Sequence, residues 1–229
     1  MVAQENLSEF LKYLANYPPE CEKLPSLSVI SKEIGISVAA LREQLEVART
    51  LGFIEIRPRT GIRKLPSKFY PSVMVSLNYL MAEDQKFFQQ FADLRQKIES
   101  AYWTEAVSLL GNEDHEALRQ IIRRAYEKLD GSPVQIPHEE HKNLHLTIYS
   151  KLNNPFVSGI LESYWKAYEL IGLNFFTDYT YLRSVWGYHQ TMVDAIINKE
   201  YQAGFNAMVE HANLLVNLLD IRQNNSQNN

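Results

Sequence analysis

Several features that mark other classes of protein are rare or absent in this 229-residue sequence. It has a single cysteine, Cys21, which excludes an internal disulfide framework and fits a reducing compartment. No run of about 18 apolar residues is present, so no membrane span is expected. The first ten residues contain acids but lack the basic cluster that opens a secretory signal. We therefore expect a soluble cytoplasmic protein that does not act at a membrane.

An excess of positive charge is also lacking, since the net charge is −4. This argues against a wholly basic nucleic-acid-binding protein, but the two parts of the chain differ. Residues 1–66 carry nine basic and eight acidic side chains, whereas the remainder carries fourteen basic and nineteen acidic ones. Five basic residues lie between Arg57 and Lys68 with no acid among them. Such a patch can form a phosphate-binding surface.

The first 66 residues predict three short helices followed by a hairpin. Apolar spacing, the N-cap Ser37 and the stop signals Gly35 and Gly52 define the helices. They are predicted over 7–17, 25–35 and 37–52, and the strands over 53–57 and 62–65. Three helices and a hairpin in about 60 residues indicate a winged helix-turn-helix, whose third helix enters the DNA major groove.

Eight residues of this region are predicted to contact DNA. Some lie on the outward face of the third helix, and the others lie in the hairpin, whose basic tip can reach phosphates or a minor groove. They are Ser37, Arg42, Arg49, Arg57, Arg59, Thr60, Gly61 and Arg63. Short patterns of this kind also arise by chance with the charges solvated, so the pattern alone leaves DNA binding open.

Pro66 and Pro71 bracket the predicted boundary between domains at 1–66 and 67–222. Beyond it glycine and proline are sparse, and the chain is predicted to be helical almost throughout. Seven helices are expected, near 71–82, 84–110, 113–129, 137–152, 155–176, 179–198 and 200–221. They indicate a mostly α protein in which an all-helical antiparallel bundle follows the winged helix. The polar tail, 223–229, is predicted to be disordered.

Three of the six histidines lie in the segment 138–155, and two of these, His141 and His145, are four residues apart. On a helix this spacing places both imidazoles on one face, where they can bind one ion. His189 and His211 lie in later amphipathic segments, on the side of the apolar residues. Four converging imidazoles would suit zinc, nickel or copper. A helical histidine pair is, however, more often a solvated coincidence than a metal site.

The segment from Leu24 to Leu65 resembles the winged helix of GntR-type bacterial transcription regulators. The matching motifs are Leu24-Pro25-Ser26, Gly35-Ile36-Ser37, Arg42-Glu43, Leu51-Gly52 and Gly61. Two departures concern expected DNA contacts, because Leu27-Ser28 replaces the family's usual Glu-Arg and Val38 replaces its usual arginine. The remaining arginines would therefore carry more of the DNA affinity, and the family's usual operator is not implied.

The second part of the chain resembles the FCD domain, the helical effector-binding domain of the FadR subfamily of GntR regulators. The matching motifs are Asp93-Leu94-Arg95 with Glu99, His141 and Leu144-His145 with Asn154-Pro155, His189 with Ala195-Ile196, and Ala203 with Met208 and His211. In that family three histidines and an aspartate bind a divalent metal. The resemblance implies His145, His189 and His211 as ligands, with His141 at the position of the aspartate.

This replacement leaves an uncharged ligand set that favours zinc, nickel or copper over manganese, with zinc or nickel the expected cofactor. The alternatives are that His141 turns away, that Glu140 or water fills its place, or that no metal binds. The resemblance also implies an effector site, because relatives have an arginine at the position of Arg95 that can grip a carboxylate. The other role for Arg95 is a salt bridge to Glu99. Tyr102, Trp186 and Tyr188 are further candidates for the effector pocket, although most aromatic residues there are expected in the core.

The combined prediction is a homodimeric, ligand-responsive transcription regulator that is not an enzyme. It would bind double-stranded operator DNA, a divalent metal and a small organic acid as effector. A second interpretation is a metal-sensing regulator in which the ion itself is the signal. A third is a metal-dependent hydrolase with Glu139 or Glu140 as general base, which leaves the attached winged helix unexplained.

Overall fold

The computed structural model describes residues 5–18, 22–175 and 178–227, and it is helical apart from one hairpin. The helices are α1 (Glu9–Asn16), α2 (Leu27–Ile34), α3 (Val38–Thr50), α4 (Tyr70–Glu83), α5 (Lys86–Ser108), α6 (Asn112–Leu129), α7 (His138–Ile148), α8 (Pro155–Leu170), α9 (Tyr179–Ile197) and α10 (Tyr201–Gln227). The strands are β1 (Ile54–Arg57) and β2 (Gly61–Lys64), and a short 3-10 helix covers Leu173–Phe175. This architecture confirms the predicted fold class of a winged helix-turn-helix followed by a helical bundle.

The chain forms two compact units, an N-terminal unit of residues 1–76 and a helical unit of residues 77–229. The division lies within α4, whereas the predicted domain boundary, which stays a prediction, lies before that helix. At the other end, α10 includes residues 223–227, where a disordered tail is predicted. A helix can continue through polar residues because its backbone hydrogen bonds are local. Asn228 and Asn229 lie outside the described residues.

Local sequence signals define the ends of the helices in the N-terminal unit. The Ser37 hydroxyl accepts a hydrogen bond from the backbone N–H of Ala40 and begins α3. Gly35 ends α2 with φ of 72°, a left-handed conformation that glycine adopts without strain. The apolar faces of the three helices and the hairpin meet in one core: Phe10, Leu14, Leu24, Ile30, Leu41, Leu45, Ala48, Ile54 and Ile62.

The hairpin is antiparallel, with Ile54 opposite Lys64 and Arg57 opposite Gly61. Arg59 and Gly61 in its turn have φ of 70° and 87°, so the chain reverses through left-handed backbone. An isolated bridge between Lys23 and Arg63 adds a third backbone segment beside β2, which the sequence patterns did not predict.

In the helical unit, α9 packs along α10, and α6 contacts both α7 and α9. Gly204 permits the close approach of α10, because a Cβ atom there would lie 2.8 Å from Trp103 and 3.3 Å from the Cβ of Ala195. Asp178 caps α9 through the backbone N–H of Tyr181. These helices carry the histidines singled out above. No described helix has the length and apolar character needed to cross a membrane.

Candidate metal centre

Three helices bring four imidazoles together inside the bundle. His141 and His145 lie one turn apart on α7, His189 lies on α9 and His211 on α10. One ring nitrogen from each histidine lies within 4.8 Å of the corresponding atom of every other. The structure therefore assembles the whole set of predicted metal ligands.

Three of the six distances between the ring nitrogens match those of a tetrahedral metal site. The Nε2 atoms of His141 and His211, of His145 and His189, and of His189 and His211 are each 3.3 Å apart. Ligand atoms at the corners of a tetrahedron with metal–nitrogen bonds of about 2.0–2.1 Å are about 3.3–3.4 Å apart. Imidazole nitrogen is also a preferred donor for zinc and nickel. The residues thus fit such an ion in both donor type and spacing.

Burial keeps these imidazoles uncharged. His145 and His189 are 0% exposed and His211 is 4% exposed, whereas His141 is partly buried. Burial, reinforced by neighbouring charges, holds the pKa of His141, His189 and His211 well below the usual value. Burial also lowers the pKa of His145, although the nearby carboxylate of Glu99 opposes it. Neutral imidazoles present the lone pairs that metal binding requires.

Two of the rings are satisfied only on the side that faces the cluster. The Nδ1 atoms of His189 and His211 are buried and have no hydrogen-bond partner in the described part of the chain. Unpaired buried polar atoms are uncommon in folded proteins because each costs free energy. An ion bound through the Nε2 atoms would leave these Nδ1 atoms unpaired, so the free energy of metal binding would have to exceed this cost.

Arg95 and Glu99, one turn apart on α5, lie beside the cluster. The distance between Arg95 Nε and Glu99 Oε2 is 2.9 Å, and the two side chains are 4% and 2% exposed. Burial acts to raise the pKa of Glu99, but Arg95 and His145 lower it overall, so the carboxylate is ionised. The guanidinium also lies 4.5 Å from the ring centroid of Tyr164. The structure thus shows the salt bridge considered for Arg95. The binding of an effector carboxylate by Arg95 stays a prediction.

The other predicted effector residues occupy different environments. Trp186 is 1% exposed, and its ring centroid lies 4.8 Å from that of His189 and 6.2 Å from that of His141. Tyr188 is partly buried and packs on the bundle core. Tyr102 does the same, and its hydroxyl accepts a hydrogen bond from the Asn154 side chain at 3.4 Å. Trp186 is therefore placed against the cluster, whereas Tyr102 and Tyr188 pack on the bundle core, and the effector-binding role of all three stays a prediction.

One aromatic residue of the site, Trp165, is not among the effector residues predicted from the sequence. The Trp165 ring lies 4.7 Å from the ring of His141 and 5.5 Å from that of His145. Its position within the apolar face of α8 predicts burial, but no sequence signal shows which helix faces it. Glu140, considered as a replacement ligand or a general base, instead pairs with Lys128 at 2.7 Å.

The cavity beside His141 is small. Its volume is about 20 Å³, and it is lined by Ile136, Pro137, His138, His141, Tyr168, Leu173, Tyr181, Leu182, Val185 and Trp186. This is room for about one water molecule, whereas pockets for organic ligands have volumes of about 300–1,000 Å³. His138 is partly buried here, stacks on Tyr168 and lies 3.3 Å from a carboxylate oxygen of Glu169.

The predicted DNA-contacting residues lie on the surface of the N-terminal unit. Arg42 and Arg59 are exposed and have no carboxylate partner among the described residues. Together with Thr60 and Gly61 they line a groove of about 650 Å³ between α3 and the hairpin. The other three predicted arginines form ion pairs: Arg49 with Glu46, Arg57 with Glu55, and Arg63 with Glu22. The Ser37 hydroxyl is used to cap α3.

Comparison with known proteins places this architecture. Residues 90–214 match the FCD domain family. The fold is similar to that of a Streptococcus agalactiae GntR protein, with 16% identity, a TM-score of 0.65 and coverage of 90% of this chain and 93% of that one. The fold is also similar to that of E. coli McbR/YncC, with 15% identity, a TM-score of 0.53 and coverage of 95% of this chain and 99% of that one. A third similar structure is that of Lar of Listeria monocytogenes, described as controlling expression of the agr system. It has 12% identity, a TM-score of 0.51 and coverage of 91% of this chain and 93% of that one. No curated protein matches the sequence.

Proposed function

Because more than half of the chain matches the FCD domain family, this protein belongs to that family, and we propose that it is a ligand-responsive, DNA-binding transcription regulator that binds a divalent metal. The resemblance to GntR regulators with an FCD domain is confirmed by this match and by the shared two-domain fold. Its placement in the FadR subfamily and its assembly as a homodimer belong to the proposal and rest on the resemblance.

The convergence of the four imidazoles supports the metal site. His141, His145, His189 and His211 would hold zinc or nickel, since three of the six distances between their ring nitrogens match those of tetrahedral ligands. None of the four carries a negative charge, so an ion bound by them keeps its dipositive charge. That charge would attract a small anion, such as a carboxylate effector, but the cavity near Trp186 must first widen beyond its volume of about 20 Å³.

The groove between α3 and the hairpin supports the DNA-binding role. Arg42 can reach base edges from α3, and Arg59 can contact phosphates or a minor groove from the hairpin turn. In a homodimer, two such faces would bind a pseudo-palindromic operator. A ligand changes DNA affinity only if it binds the DNA-competent and DNA-incompetent forms unequally.

The decisive test is elemental analysis of tag-free protein purified without chelator or added metal. About one zinc or nickel ion per wild-type chain is expected, with none in a His189→Ala, His211→Ala double variant. Retardation of DNA from the protein's own promoter at low salt tests the second half of the proposal. Metal-free wild-type protein, or a failure to bind that DNA, would contradict the corresponding half.

A second candidate is a metal sensor that needs no organic effector. The observation that favours it is the cavity beside His141, whose volume of about 20 Å³ leaves no room for an organic acid in this conformation. Titrating DNA binding against zinc or nickel without any organic ligand distinguishes the two candidates. A metal sensor responds to the ion alone, whereas a carboxylate-responsive regulator also needs the acid and a wider cavity.

A further inference from the structure

Resting on the proposed metal site, one further assignment concerns a carboxylate that is not itself a ligand. Glu99 Oε1 lies 3.1 Å from His145 Nδ1, while Nε2 of the same ring lies 3.3 Å from His189 Nε2. The carboxylate therefore contacts the side of the ring that faces away from the cluster. We propose that Glu99 is a positioning residue, which orients His145 and strengthens it as a metal ligand.

The argument begins with the single N–H of a neutral imidazole. If that proton is on Nδ1 and is donated to Glu99, the Nε2 lone pair points into the cluster and is free for an ion. A carboxylate acceptor in this position also makes the ring a stronger donor to metal. The Nδ1 atoms of His189 and His211 have no such partner in the described chain. Of the three rings, His145 is thus the one whose tautomer is fixed by a carboxylate, and that carboxylate is Glu99.

Arg95 opposes this arrangement. Its Nη2 atom lies 2.8 Å from the same Nδ1 of His145 and 3.4 Å from Nε2, so the contact with Nδ1 is the closer one. A guanidinium can only donate, so this contact is a hydrogen bond only when Nδ1 carries no proton. In that tautomer the proton is on Nε2, which then cannot bind an ion. Glu99 thus favours the form of His145 that binds metal, and Arg95 favours the form that does not.

Charge acts in the same direction. The four ligands are neutral, and Glu99, at 2% exposure, places a buried negative charge in contact with one of them. Arg95 partly cancels that charge through its 2.9 Å contact with Glu99 Oε2. Removing Glu99 therefore weakens electrostatic support for the ion, whereas removing Arg95 strengthens it.

The experiment measures zinc affinity by competition with a chromophoric chelator, and the visible spectrum of the cobalt-substituted protein. Glu99→Gln is expected to bind zinc about 10- to 100-fold more weakly and to change the cobalt spectrum. Arg95→Met is expected to bind zinc as tightly as the wild type or more tightly. Glu140→Gln is the matched control, because Glu140 is also a buried carboxylate but pairs with Lys128 instead of a histidine. It should retain wild-type affinity.

The two variants are expected to change zinc affinity differently, and this difference distinguishes a positioning role of Glu99 from simple structural support. Both single variants break the same buried ion pair, so a purely structural role predicts that both weaken zinc binding alike, and that result would overturn the proposal. If either variant fails to fold, the Arg95→Met, Glu99→Gln double variant removes both charges and should still bind zinc more weakly than the wild type. Wild-type protein without zinc affinity refutes the metal site itself, whereas equal affinity of wild type and Glu99→Gln refutes only the role of Glu99.

Discussion

One ion pair from each unit of the chain shows how differently a charged pair behaves at the surface and in the core. In the N-terminal unit the ion pairs are at the surface, as in Arg57 with Glu55, whose side chains are 61% and 26% exposed. In the helical unit Arg95 and Glu99 are 4% and 2% exposed and lie against a cluster of neutral histidines. Exposed pairs contribute at most about 1 kcal/mol, so their arginines can exchange a glutamate for a phosphate at little cost. Breaking a buried pair costs about 3–5 kcal/mol, which fixes the geometry of the site.

The strongest test of this contrast is to break one pair in each unit. Arg95→Met leaves Glu99 buried without its partner and should lower the free energy of unfolding by about 3–5 kcal/mol. Arg57→Met removes an exposed pair and should leave stability within about 1 kcal/mol of the wild type. Urea denaturation of metal-free protein measures both. Equal losses of unfolding free energy in the two variants would show that burial does not determine how much each ion pair contributes to stability.

A second test concerns the packing that holds the histidines in place. In Gly204→Ala the added Cβ would lie 2.8 Å from Trp103, so α10 must shift, at a cost of about 1–3 kcal/mol. Because α10 also carries His211, zinc affinity should fall as well. Gly187→Ala on α9 is the control, since a Cβ there has no atom within 4 Å among the described residues, and it should be neutral or slightly stabilising. Thermal unfolding and chelator competition measure the two effects, and identical behaviour of the two variants would refute the role of the close approach.

The third test compares free and paired arginines on α3. Arg42→Ala removes an arginine with no described carboxylate partner and should cost about 1–3 kcal/mol of specific DNA-binding free energy. Arg49→Ala should cost less, because Arg49 must first leave Glu46. Binding to promoter fragments at a single fixed salt concentration provides the comparison. A larger loss for Arg49 than for Arg42 would show that the intramolecular pair is not maintained on the surface of the free protein.

The smallest effect is expected at Glu169, which lies within 3.3 Å of Lys166, His138 and Lys142. Burial acts to raise its pKa, but hydrogen bonds from these three residues lower that pKa to about 2. A depressed carboxylate pKa contributes stability above the unfolded value, about 4.5, and this contribution is lost as pH falls towards 2. The difference in stability between wild type and Glu169→Gln should therefore shrink as pH falls below about 4.5. A difference that stays constant over that range would argue against the depressed pKa.

The sequence was sufficient for features that repeat locally. Helical periodicity and caps such as Ser37 predicted the helices and the hairpin, and the spacing of His141 and His145 predicted one shared face. The motifs around His189 and His211 added the remaining ligands through resemblance. These signals depend on neighbours along the chain, so they can be recognised without a structure.

Contacts between distant residues were not predictable in this way. Glu99 and His145 are 46 positions apart, and Arg63 and Glu22 are 41 apart, so no local pattern shows that they meet. The size of the cavity beside His141 also depends on how several helices pack. The sequence suggested a pocket for an organic acid, whereas the packed bundle leaves room there for about one water molecule.

The position of His211 on the last helix gives the metal site a consequence for local unfolding. α10 packs along α9 and contributes one of the four imidazoles, so it cannot separate from the bundle without losing a ligand. A ligand that binds only the closed form stabilises that form as its concentration rises. Amide hydrogens of α10 should therefore exchange with solvent more slowly as zinc is added. Amide exchange in α10 would then report how fully the metal site is occupied.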